Sequence, residues 1–130
     1  MTDSSPFAQE GFDLMAAAFE VHNEQGGGLV EEIYQESLEI ELQLRQIAFT
    51  PRPELLVFYK GRTLKRRFVP DLVVLHRLVA ELKSVKLLLP EHEAQLLNYM
   101  RVTRQPVGYL INFGPIGKVE WKRFVLSEFA

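Results

Sequence analysis

The stretch "VPDLVVLHRLVAELKSV", residues 69–85, decides how this chain folds. It reads as two buried strands broken at His76 and Arg77. Yet Asp71 stands at one end, and Glu81 and Lys83 stand inside the apolar run at the other. Glu81 and Lys83 are two apart, so they face the same side of a strand. Their neighbours Val79, Leu82 and Val85 are apolar. A carboxylate buried without a partner is costly, and a buried Glu–Lys pair often fails to offset that cost. Two acids and a lysine converging on one point have another use. Asp71, Glu81 and the backbone carbonyl of Leu82 offer oxygens to a hard divalent cation, with Lys83 beside it to orient a water. This sets a condition on geometry. A two-residue turn at 76–77 would place residue 72 opposite 81 and turn Asp71 away. The site requires an odd-length turn or a bulge.

Working outward, residues 7–25 read as a helix with Phe12, Met15, Ala16 and Phe19 as its apolar stripe, stopped by "GGG" at 26–28. A second helix over about 29–47 carries Ile33, Ser37, Ile40, Leu44 and Ile47 near one face, widened by Leu38 and Leu42. "ELLVFYK" and the basic "LKRRFV" alternate like a hairpin around the turn "KGRT" at 60–63. After residue 85, "PEHEAQLLNYMRVTRQ" reads as a helix with Pro90 near its start. Its less polar positions are Ala94, Leu97, Tyr99, Met100 and Val102. "PVGYLINFG" is a buried strand, "PIGK" a turn and "VEWKRFVL" a last alternating strand. The order is ααβββ(β)αββ. The helix after residue 85 is long enough to cross over between parallel strands. The expected architecture is α/β, a mixed central sheet flanked by helices.

At 130 residues the chain reads as a single domain spanning 1–130. With no cysteine it can have no disulfide framework, thiolate metal site or cysteine nucleophile. Its three histidines are scattered, which speaks against zinc. The start "MTDSSPFAQEGF" lacks the basic and apolar segments of a leader, and no apolar run approaches membrane-spanning length. The expectation is a cytoplasmic protein with no membrane partner. Net charge is −2, so bulk charge does not announce nucleic acid. The basic residues are bunched, however, with Arg62, Lys65, Arg66 and Arg67 in one group and Arg101 and Arg104 in another. Local stripes, rather than sums, meet phosphate.

Three further spacings accompany the buried charges. "GLVEEIY" at 28–34 sets Glu31 and Tyr34 on one helical face, "QLLNY" at 95–99 does the same for Gln95 and Tyr99, and "INFG" closes the strand at 111–114. The ordered set Gly28-x-x-Glu31-x-x-Tyr34, Pro70-Asp71, Glu81-x-Lys83, Gln95-x-x-x-Tyr99 and Ile111-Asn112-Phe113-Gly114 resembles the small GxxExxY proteins of the PD-(D/E)XK nuclease superfamily. The resemblance runs from about Phe12 to Val125. It implies a restriction-endonuclease-like core and a phosphodiesterase site using magnesium or manganese. By position it implies metal ligation by Asp71 and Glu81, a catalytic Lys83, and Glu31 as the helical acid that completes the site. Gln95 and Tyr99 would bind the substrate backbone or position the water. Tyr34, Arg66, Arg67 and Arg101 are further candidate substrate contacts.

The function expected is a metal-dependent nuclease acting on nucleic acid, DNA before RNA. A core this small suggests structured or single-stranded substrates, or a homodimer to gain reach. The competing expectation is a catalytically idle module of the same fold that binds nucleic acid or a protein.

Overall fold

The computed structural model describes residues 5–130. Residues 1–4 of the segment inspected for a leader lie outside the described residues. The elements run α1 (Ala8–Gln25), α2 (Glu31–Leu44), β1 (Phe49–Pro51), β2 (Leu55–Tyr59), β3 (Arg62–Phe68), β4 (Leu72–Val74), β5 (Leu78–Lys83), α3 (Pro90–Thr103), β6 (Val107–Asn112) and β7 (Glu120–Val125), with a 3-10 turn at Ser127–Phe129. This is the expected order with one strand, β1, added. Among the described residues no helix is long and apolar enough to cross a membrane.

Five strands form a mixed sheet in the order β1-β4-β5-β6-β7. β5 and β6 run parallel, from Leu78 beside Val107 to Lys83 beside Asn112, and α3 makes the crossover between them. The remaining neighbours are antiparallel. The basic hairpin departs from the expectation of a single sheet, because β2 and β3 pair only with each other. The exposure of Arg62–Arg66 explains this: β3 has no apolar face to insert into the main sheet, and the hairpin docks through Val57 and Phe68 instead.

Alternate residues of each strand serve two apolar layers. Leu72, Val74, Leu78, Ala80, Leu82, Tyr109 and Ile111 pack under α1 and α2. Val73, Val79 and Leu110 pack under α3 and the hairpin, against Leu96, Met100, Val57 and Phe68. Glu81 and Lys83 share the parity of Val79, so they project toward this second layer.

Both amino-terminal helices are turned relative to the stripes expected. In α1, Phe12 is 70% exposed and Phe19 41%, while Leu14, Met15, Ala17, Ala18 and Val21 are buried. A Cβ on Gly11 would lie 1.7 Å from the Tyr109 hydroxyl, so the small residues mark the side that approaches the sheet. In α2, Ile33, Ile40 and Leu44 face out, and Tyr34, Leu38 and Leu42 face in. Each helix carries two overlapping apolar rows. Close approach to the sheet, rather than total hydrophobicity, selects between them.

Candidate active site

The site begins with a turn. β4 and β5 pair as Leu72 with Ala80, Val73 with Val79 and Val74 with Leu78, which leaves Leu75, His76 and Arg77 as the loop. Leu75 and His76 both have positive φ, 53° and 61°, and the Arg77 N–H closes the turn on the Val74 carbonyl at 3.1 Å. The loop has odd length, as the acidic pair requires. Continuing the register by one step sets Asp71 opposite Glu81. The Asp71 N–H donates to Glu81 Oε1 at 3.2 Å, and the Leu82 N–H donates to Asp71 Oδ2 at 2.7 Å.

Neither acid is comfortable as a free anion. Burial pushes the Asp71 carboxyl up, against the pull of the Leu82 N–H, Lys83 and Arg52. Burial first, and then the neighbouring Asp71 charge, push Glu81 up to about 8, with Glu31 adding to the same effect. Among the described residues the ion pair is Glu41–Arg45, so Lys83 forms no salt bridge with either acid.

On the α3 side, Glu81 and Lys83 form the floor of an open cleft of about 350 Å³. Arg67, Phe68 and Val69 come from the hairpin, and His92, Gln95 and Tyr99 come from α3. Phe68 and Tyr99 stack at 4.1 Å and 8°, which ties the two walls together. The topology thus gathers Glu81, Lys83, Gln95, Tyr99 and Arg67 into one place. Asp71 opens toward a smaller recess shared with Glu31, Glu32, Gln35, Arg52 and Leu82. The hydrogen-bonded Asp71–Glu81 pair forms the partition between the two spaces.

Tyr34 does not meet the expectation of a substrate contact. It is fully buried and stacked on Phe113 at 4.6 Å. Its hydroxyl donates to the Gly26 carbonyl at 2.6 Å and accepts the Leu29 N–H at 3.0 Å. Tyr34 therefore ties down the glycine turn from which α2, and Glu31 with it, departs. Gly27 lies so close to the next turn that a Cβ would stand 2.2 Å from the Pro115 carbonyl oxygen. Asn112 completes the clamp. Its Oδ1 accepts the Val85 and Gly114 N–H groups, and its Nδ2 donates to the Val85 carbonyl and Glu120 Oε1. The GxxExxY and INFG segments interlock as structure that positions Glu31 and the chain leaving Lys83.

Arg66 and Arg101 are exposed and lie outside the cleft lining. Arg101 donates to Asn98 Oδ1 at 3.0 Å. Arg104 lies over the Phe58 ring at 4.4 Å. His22 is in the last turn of α1 and buried, its Nε2 2.7 Å from the Pro115 carbonyl. Sequence reasoning passed over Gln35, whose Nε2 donates to the Asp71 carbonyl at 2.8 Å and so steadies the backbone that carries Asp71. Its signal was its place four residues after Glu31, on the same helical face.

Among the described residues no group of three His, Asp or Glu side chains stands ready to hold a metal. The donor chemistry nevertheless fits magnesium, which keeps several waters and takes only one or two carboxylates. Asp71 and Glu81 are half-buried acids and the Asp71 charge pushes the Glu81 carboxyl up, an electrostatic state that a divalent cation would relieve.

Comparison with known proteins agrees with this geometry. The PD-(D/E)XK nuclease superfamily profile matches residues 8–124. No curated protein matches the chain. The solved structure titled "Crystal structure of SSO0001" superposes with a TM-score of 0.57 at 21% identity, over 75% of this chain and 51% of that one. At this identity the likeness concerns the fold alone, and the present chain spans about half the length of that structure. With nearly all of its elements inside the matched span and a restriction-endonuclease-like core, the chain belongs to the PD-(D/E)XK nuclease superfamily.

Proposed function

We propose that this chain is a divalent-metal-dependent nuclease that hydrolyses phosphodiester bonds in DNA, with magnesium or manganese as its ion, and that within the superfamily it sits with the GxxExxY proteins. The observation that carries the reading is the juxtaposition of Asp71 and Glu81 across an odd-length turn, with Lys83 and Gln95 facing the adjoining cleft.

Asp71, Glu81 and the Leu82 carbonyl would hold the ion, with Glu31 on the far side of the recess. When bound, the ion would neutralise phosphate charge and make a water more acidic. Lys83 holds the attacking water or stabilises the charge that develops on the phosphate oxygens. Gln95 orients that water, or the substrate backbone, from the α3 wall. The attacking water gives up a proton to solvent as its oxygen forms a new P–O bond, and the bond to the leaving oxygen breaks, that oxygen taking a proton from solvent. Arg67 and Tyr99 border the path of the strand. Arg62, Lys65, Arg66, Arg101 and Arg104 supply outlying phosphate contacts, and a homodimer would lengthen that surface.

The test is a cleavage screen on single-stranded, duplex and branched DNA, and on RNA, with magnesium or manganese. Cleavage that requires metal and disappears in Asp71→Ala and Lys83→Ala supports the reading. Binding without cleavage under every metal condition, unaffected by Glu81→Ala, would point to the idle module instead.

A further inference from the structure

The α3 wall of the cleft holds one polar group that the proposed mechanism leaves unused. His92 stands three residues before Gln95 and seven before Tyr99, so the three side chains form a row along the helix. All three line the same cleft as Glu81 and Lys83. At about 1.5 Å per residue the row extends roughly 10 Å. Along one strand of a duplex, at about 3.4 Å per nucleotide, that is roughly three steps.

The His92 ring is fixed at one edge. Its Nδ1 lies 3.0 Å from the Leu89 backbone nitrogen. A backbone N–H can only donate, so Nδ1 is the acceptor and carries no proton. The proton of the ring therefore sits on Nε2, at the other edge. Among the described residues that Nε2–H has no hydrogen-bond partner. His22 offers the contrast, since its Nε2 is already engaged by the Pro115 carbonyl. His92 thus presents a neutral, oriented donor on the cleft wall, one helical turn from Gln95.

We propose that His92 is a substrate contact, whose Nε2–H donates to a non-bridging oxygen of a phosphate next to the scissile one. The inference rests on the nuclease reading of the cleft. The bond orients the strand along α3. It transfers no proton, because a neutral imidazole does not readily give up its only N–H. The helix cap makes the donor available: satisfying Leu89 with Nδ1 leaves Nε2 pointing away from the helix end.

The cap and the contact can be separated by one substitution. Glutamine at this third helical position can reach back to the same Leu89 N–H, but it lacks the ring donor. The experiment measures fluorescence anisotropy of labelled DNA oligonucleotides, single-stranded and duplex, without metal. The full chain carries Asp71→Asn to remove one repelling acid, with His92, His92→Gln or His92→Ala alongside. The proposal expects His92→Gln to melt as the His92 protein does while binding the better oligonucleotide about ten- to a hundredfold more weakly, the range for losing a hydrogen bond to a charged group. His92→Ala should lose both binding and melting temperature. Equal binding by His92 and His92→Gln would overturn the contact and leave a cap alone. Absence of binding by the His92 protein itself would overturn the contact and count against the nuclease reading as well. Ring ¹⁵N NMR of the unmutated full chain in chelator gives an answer that does not depend on how the variants fold. It should show His92 with its proton on Nε2 and that resonance shifting on addition of the oligonucleotide. A proton on Nδ1, or no shift in the presence of bound DNA, would contradict the proposal.

Discussion

Two buried clusters lie near the same end of the sheet and differ in one respect. Around Tyr34, Phe113 and Asn112 every polar atom is matched: the Tyr34 hydroxyl has two partners and Asn112 has four. Around Asp71 and Glu81 two acids face one another, receive two backbone N–H bonds and have no ion-pair partner among the described residues. The first cluster is complete as it stands. The second is held in a state that costs stability, which the cation proposed for this site would relieve. Buried polar residues alone would not tell a structural motif from a chemical one; the difference lies in whether the charges are balanced.

The sharpest way to break the comparison is to remove one member from each side. Asp71→Ala or Lys83→Ala should lower metal-dependent cleavage by about a hundredfold or more, measured as initial rates, while the melting temperature of the metal-free protein holds or rises. Tyr34→Ala should do the reverse in kind. It should cost about 3–5 kcal/mol of stability, as large aromatic truncations in a core do, read from urea denaturation midpoints. Loss of cleavage there should follow the unfolded fraction and the displacement of Glu31.

A smaller effect sharpens the electrostatic half. Glu81 titrates near 8 in the fold against an ordinary 4.5. Between these values the folded state holds more protons than the unfolded state, so stability falls as pH rises. The contribution is fully present below about 4.5 and is lost by about 8. Melting of the chelator-treated protein should therefore decline from pH 5 to pH 8 by more than in Glu81→Gln, whose curve should be flatter. Equal slopes would mean that Glu81 does not carry the cost. The smallest effect concerns the hairpin. Arg66→Ala should weaken DNA binding evenly across sequences and lower the salt slope by about one. Arg67→Ala should in addition slow cleavage, because Arg67 lines the cleft.

Much of this contrast could be read before the fold was known. Asp71, Glu81 and Lys83 stood out because charges in an apolar run have few uses, and the demand for an odd-length turn followed from the two-residue period of a strand. The α3 crossover was legible from its length. The orientation of α1 and α2 was not, because overlapping apolar rows satisfy the same period; in α1 the close approach at Gly11 chooses between them. β1 spans three residues and ends in proline, too short to show any period. The interlock of Tyr34 with Phe113 joins segments nearly eighty residues apart in the chain, a contact that no local pattern encodes. The role of His92 depends on which ring nitrogen the Leu89 N–H occupies, and spacing alone does not specify that.

The most direct test of the central claim is a calorimetric titration of manganese into the protein saturated with an uncleavable phosphorothioate oligonucleotide, run on the unmutated chain and on Asp71→Asn. The account predicts metal binding in the unmutated complex that Asp71→Asn abolishes. Equal binding in both, or none in the unmutated complex, would contradict the assignment of Asp71 and Glu81 as a metal site.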